Sequence, residues 1–211
     1  MGNRSKSLIL SALLAGSFIA ASPANALTTF FNDWDSTDFG AGPGFTVVAS
    51  YEGWTAVAGS GIEIQYNAVA GAPLSGENLV ELDSFNNTTM QRAIDAGDYT
   101  LSFYYSPRPG VGAGSNGIEV LVDGLSIFSI TGPGAGNTVW TQYSLDFSLA
   151  AAGTLAFRAI GTSDGVGGYL ENVSLGAAPA VPEASTWAMM LAGLGAAGAV
   201  MRRRKLAVQF A

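Results

Sequence analysis

Asp98-Tyr99-Thr100-Leu101-Ser102-Phe103-Tyr104-Tyr105-Ser106 alternates with a period of two. Tyr99, Leu101, Phe103 and Tyr105 fall on one face, with Thr100, Ser102 and Tyr104 on the other, the signature of a half-buried β-strand. Downstream, Gly117–Asp123 alternates Ile118, Val120 and Val122 against Glu119 and Asp123. Asp123-Gly124 then supplies the residues a type I′ hairpin turn requires. Val139–Phe147, Thr154–Ile160 and Tyr169–Leu175 read as the closing strands. Upstream, the same reading gives Phe45–Tyr51, Ile62–Tyr66, Leu79–Asp83 and a strand including Met90–Ile94. Short strands at regular spacing, with Gly, Pro and Asn between them, predict an all-β antiparallel β-sandwich. No repeat of 20–50 residues is present, which argues against a solenoid or propeller.

The ends of the chain read differently. Arg4 and Lys6, the apolar run from Leu8 to Ala21 and the small-residue site Ala24-Asn25-Ala26 predict a signal peptide over 1–26, cleaved after Ala26. The sandwich is expected over 27–176, followed by a linker and Val181-Pro182-Glu183 over 177–183. Ala184 to Met201 is uncharged, and as a helix its 18 residues span roughly 27 Å, enough for a single transmembrane helix over 184–201. Arg202, Arg203, Arg204 and Lys205 then open a basic tail over 202–211 that acts as a cytoplasmic stop.

The net charge of −7 conceals a segregation. Between Leu27 and Leu175, fifteen acids face only Arg92, Arg108 and Arg158, a net of −12. Such a domain repels phosphate backbones, which argues against nucleic acid as a partner. With neither Cys nor His, disulfides, Ser-His-Asp triads, zinc sites and haem ligation by His are excluded, and oxygen-bound calcium is the metal the composition favours.

The order Val181-Pro182-Glu183, apolar run, Arg202-Arg203-Arg204-Lys205 resembles the PEP-CTERM sorting signal, with Ala184 in place of the usual second Pro. The same tail is also filed as an ice-binding-protein C-terminal domain, a label that describes the tail and no activity. The resemblance implies export, processing by an exosortase as partner, and delivery to the cell surface or extracellular matrix. A second resemblance runs through Gly53-Trp54, Ile62-Glu63, Leu79-Val80-Glu81-Leu82-Asp83, Ala96-Gly97-Asp98-Tyr99, Ser106-Pro107-Arg108, Trp140-Thr141-Gln142-Tyr143 and Gly168-Tyr169-Leu170-Glu171-Asn172-Val173-Ser174-Leu175. These resemble galactose-binding-like jelly rolls, which include carbohydrate-binding modules.

That resemblance implies a structural calcium joining the first strand region to the last, with Asp33, Asp35 or Asp38 and Glu171 as ligands. The alternative is that these acids are solvated or hydrogen-bonded. Glu171 shares strand parity with Tyr169, Val173 and Leu175, so it is expected near the packed side and in need of a partner. For a sugar, which needs an aromatic face beside planar hydrogen-bonding groups, the candidates are Trp54, Tyr104 and Arg108, with Trp34, Tyr66 and Trp140 behind them. Core packing is the competing reading for Trp54 and Trp140. No catalytic residue stands out. The leading expectation is a non-catalytic exported protein binding extracellular polysaccharide. A purely structural or adhesive matrix protein is the alternative, and a glycan-active hydrolase ranks below both. Gly193-Leu194-Gly195-Ala196-Ala197-Gly198 matches a dinucleotide fingerprint but lacks the preceding strand that would give it meaning.

Overall fold

A computed structural model describes residues 26–179 and 184–203. Thirteen strands form in chain order: β1 (Phe30–Asn32), β2 (Gly44–Val48), β3 (Ser50–Tyr51), β4 (Trp54–Ala58), β5 (Ile62–Tyr66), β6 (Asn78–Glu81), β7 (Thr89–Ile94), β8 (Gly97–Ser106), β9 (Gly117–Val122), β10 (Leu125–Ile130), β11 (Thr141–Leu149), β12 (Gly153–Ile160) and β13 (Tyr169–Ala177). The first sheet has the order β11-β8-β13-β6-β5-β2, with β1 also beside β13; the second has the order β10-β9-β12-β7-β4-β3. Their ladders are antiparallel, and the sandwich expected from the alternation is present.

The core lies between the sheets. Tyr99, Leu101, Phe103 and Tyr105 of β8 point into it as the period-two reading requires, against Ile118, Val120, Leu155 and Phe157 of the second sheet. At the β9–β10 hairpin, Asp123 and Gly124 both take positive φ, 50° and 74°, as a type I′ turn demands.

Several boundaries differ from expectation for physical reasons. The stretch Phe45–Tyr51 is not one strand: β2 pairs with β5 in the first sheet, and β3 pairs with β4 in the second. The chain changes sheets at Ala49, and an unbroken apolar alternation carries no sign of this. Val139 stands outside β11, because its N–H donates to Ser106 Oγ at 2.9 Å instead of to a ladder.

Strand β13 departs most usefully. One of its edges is shared end to end, by β6 at Tyr169 and Leu170 and by β1 at Val173 to Leu175. Its ladder with β8 slips by one residue between Glu171 and Ser174, and Asn172 adopts φ 49°. This bulge reverses the parity. Leu170, Val173 and Leu175 face the core, whereas Tyr169 and Glu171 lie on the outer face of the first sheet. The expectation that Glu171 shares a face with Val173 and Leu175 is thereby corrected.

A helix, α1 (Ala184–Arg203), follows the sandwich. No helix among the described residues is long and apolar enough to cross a membrane. The span expected over 184–201 is therefore not shown; much of the segment is Ala and Gly, whose small side chains contribute little apolar surface. Arg202 is exposed and Arg203 closes the helix. Ala24 and the rest of the signal segment before Ala26, the motif Val181, Pro182 and Glu183, and Arg204 and Lys205 lie outside the described residues.

Candidate functional site

Tyr169 and Glu171 are fully buried although they project from the outer face of a sheet. Residues 67–77, which join β5 to β6, cross that face and cover them. The loop closes on itself, since Asn67 N–H donates to Glu77 O at 2.9 Å, which makes it an Ω-loop. Leu74 and Ser75 N–H donate to Glu171 Oε2 at 2.8 and 3.1 Å. Thr138 Oγ1 and Trp140 Nε1 donate to Ala72 O at 2.8 and 3.2 Å. Asp35 Oδ1 accepts the N–H groups of Glu77 and Asn78, each at 3.0 Å.

Beneath the loop lies a polar cluster built by strand register. Glu63 of β5 and Tyr169 of β13 both stand opposite Glu81 of β6. Gln65 Nε2 donates to Glu63 Oε1 at 2.9 Å and also to Glu81. Arg108 donates to Glu81 Oε2 at 2.6 Å, and Gly167 N–H donates to its other oxygen. Burial pushes the Glu81 carboxyl up to about 9, against the pull of Arg108 and with the push of Glu63. Burial likewise pushes Glu171 up to about 8, against the Leu74 and Ser75 donors, with Asp35 and Asp33 adding to the rise.

The acids expected to bind calcium can be tested against this geometry. Asp33 Oδ1 accepts the Asp35 N–H at 3.2 Å, and Asp35 and Glu171 each take two backbone donors of the Ω-loop region. Among the described residues no group of three or more acidic side chains is arranged to hold a metal ion. Asp35 and one oxygen of Glu171 thus serve as acceptors for the loop, while Glu171 Oε1 has no partner. The hydrogen-bonded alternative fits, with the carboxylates anchoring the loop. Calcium or EDTA is accordingly expected to leave the melting temperature unchanged, and a calcium-dependent rise in a thermal melt would restore the ion.

The expected sugar residues are dispersed. Trp54 is buried in the core and donates from Nε1 to Asn32 Oδ1 at 3.0 Å, so it offers no face to a ligand. This corrects the sugar reading in favour of core packing. Trp34 is also fully buried, and Tyr66 stacks on Phe39. Arg108 is engaged with Glu81. Tyr104 is half-buried on the outer face of the first sheet, opposite Gln142 and Glu171. Trp140 is half-buried at the margin of the Ω-loop.

A second concavity, a cleft of about 330 Å³, opens where β8, β10 and β11 converge. Tyr105, Tyr143, Val139 and Ile130 give it apolar walls, with Asn137 and Thr141 as polar groups. Its rim is fastened by the buried Asn116, which sequence reasoning missed. Asn116 Nδ2 donates to the carbonyls of Val111, Gly112 and Gly132 at 3.1–3.2 Å, and its Oδ1 accepts the Arg108 N–H at 3.0 Å. Asn116→Ala is expected to destabilise the fold by about 2 kcal/mol, because the buried amide ties four backbone groups of the loops together and all four bonds are lost at once; a denaturant titration measures it.

The tail matches the family described as the PEP-CTERM protein-sorting motif over residues 180–205. This chain carries a PEP-CTERM sorting motif. The motif is that of exported proteins handled by an exosortase. No curated protein matches. Among solved structures, the K2 cleaved adhesin domain of Lys-gingipain is similar at TM-score 0.53 and 17% identity, covering 71% of this chain and 99% of that domain. The K1 domain of the same protein, from Porphyromonas gingivalis W83, gives 0.49 and 15%, covering 66% and 100%. A family 35 carbohydrate-binding module from Clostridium thermocellum gives 0.39 and 16%, covering 65% and 100%. At such identities the similarity to the K2 domain speaks for the fold alone.

Proposed function

We propose that this PEP-CTERM protein is a non-catalytic component of the cell surface or extracellular matrix whose sandwich binds polysaccharide. An exosortase-type enzyme reads the segment beginning at Val181-Pro182-Glu183, with α1 and the basic residues from Arg202 as the remainder of the signal. The observation that carries this reading is the sorting motif at 180–205 placed directly after a β-sandwich. An aromatic-walled cleft and a polar sheet face, with acids on the second already committed to hydrogen bonds, support binding over hydrolysis.

Two measurements test it. Mass spectrometry of the mature chain is expected to show a C-terminus upstream of Arg202, and an intact 202–211 tail on exported protein would refute processing. A glycan array probed with the full chain is expected to identify a polysaccharide. An array without binders would leave the structural or adhesive matrix role in its place.

A further inference from the structure

Resting on the polysaccharide reading, we propose that the outer face of the first sheet beneath residues 67–77 is a saccharide-binding face, and that the Ω-loop is its lid. Three observations meet there. First, Gln65, Tyr169 and Glu171 are buried; Gln65 Oε1 and Glu171 Oε1 have no partner, and Tyr169 Oη meets only the Gln65 side chain. All three project from the same face under the same loop. Buried polar groups are ordinarily satisfied, so under-partnered atoms gathered in one place mark a surface made to meet something polar.

Second, the loop is strained at both ends and is held down by hydrogen bonds instead of apolar packing. Asn67 and Ala68 adopt φ 55° and 58° at one end, and Gly76 adopts 59° at the other. Left-handed backbone is costly for Ala, and such strain gathers at clamps and switches. Between these ends the loop carries Ala70, Gly71 and Ala72, while its larger apolar side chains, Val69 and Leu74, are exposed instead of packing down. Hydrogen bonds at Ala72, Leu74 and Ser75 hold it to the face. A loop that served only to bury this face would put apolar side chains against it.

Third, the chemistry selects the ligand class. Gln65, Glu63, Glu81, Glu171 and Arg108 offer planar donors and acceptors, and Tyr104 and Trp140 lie at the margin as aromatic surfaces. Neighbouring sugar hydroxyls donate and accept together, which suits such groups. Burial holds Glu81 and Glu171 towards their neutral forms, and the one guanidinium at the face is already engaged by Glu81, so the site offers no free cation to a uronate or phosphate and takes neutral sugar units.

The test uses the full chain and a variant whose residues 68–76 are replaced by Asn-Gly, a two-residue turn that the Asn67–Glu77 pairing can receive. The lidless variant is expected to bind the neutral oligosaccharide found for the wild type roughly tenfold more tightly, since no closed state competes. Tyr104→Ala in that background is expected to abolish the gain. Unchanged affinity in a folded lidless variant would overturn the lid, and the orphan atoms would then be served by ordered water only. Binding lost on Tyr143→Ala and indifferent to Tyr104 would place the sugar in the end cleft, leaving the polysaccharide reading intact and this inference wrong. Absence of any binder to either protein would remove both. If the lidless variant fails to fold, hydrogen exchange of the wild type decides: saccharide must change the protection of the Leu74 and Ser75 amides, and no change refutes the proposal.

Discussion

Trp54→Ala is expected to lower the melting temperature by roughly 10 °C, the loss of about 3–5 kcal/mol that follows deletion of a buried indole. Trp54 has no exposed surface. Its ring meets Phe30 edge-on at 5.7 Å and Phe157 at 5.5 Å, so it joins the strand beside β13 to the second sheet. Its Nε1–H donates to Asn32 Oδ1, an atom that also accepts from Arg92 at 3.4 Å. Truncation would open a cavity and strip a donor from a buried amide at once. Trp54→Phe keeps most of the volume and is expected to cost markedly less. A thermal melt of both variants checks the order. A Trp54→Ala protein that melts like the wild type but loses glycan binding would return this residue to the ligand site.

The second large effect is on pH dependence. Glu81 rises from an ordinary 4.5 to about 9 in the folded chain because it is buried. Between those values the folded state holds a proton that the unfolded state has released. Stability is therefore fullest below about pH 4.5 and declines as pH rises towards 9. A melting temperature lower by on the order of 10 °C at pH 9 than at pH 5 is expected. Glu81→Gln keeps the shape and a neutral amide, so its melting temperature should fall markedly less over the same range, the remaining decline coming from Glu171. A wild-type profile no steeper than that of Glu81→Gln would mean that Arg108 holds Glu81 ionised throughout.

The parts of this molecule legible in its sequence are those decided by neighbours in the chain. The alternation of residues 98–106 specifies the buried face of β8, and Asp123-Gly124 specifies the β9–β10 hairpin, because both depend on local backbone geometry. The candidate site depends on distant partners. Glu81 alternates with Val80 and Leu82, which correctly puts it on the outer face; that residues 67–77 then bury this face is a tertiary fact. Asn172 was the one local sign of the bulge, since Asn tolerates left-handed backbone, yet one Asn in an alternating strand does not announce a reversal. Glu171 was expected to need a partner; one of its oxygens takes the Leu74 and Ser75 N–H groups, while the other has none.

Strand β13 also sets an orientation. Phe30 of β1 pairs with Leu175, close to where β13 gives way to the tail, so the entering and leaving chain emerge side by side at one pole of the sandwich. Tyr169, at the other end of β13, pairs with Ser106, where the loops that frame the cleft begin. Nine extended residues separate the two poles by roughly 30 Å. The cleft therefore opens at the pole opposite the one from which both ends of the sandwich leave.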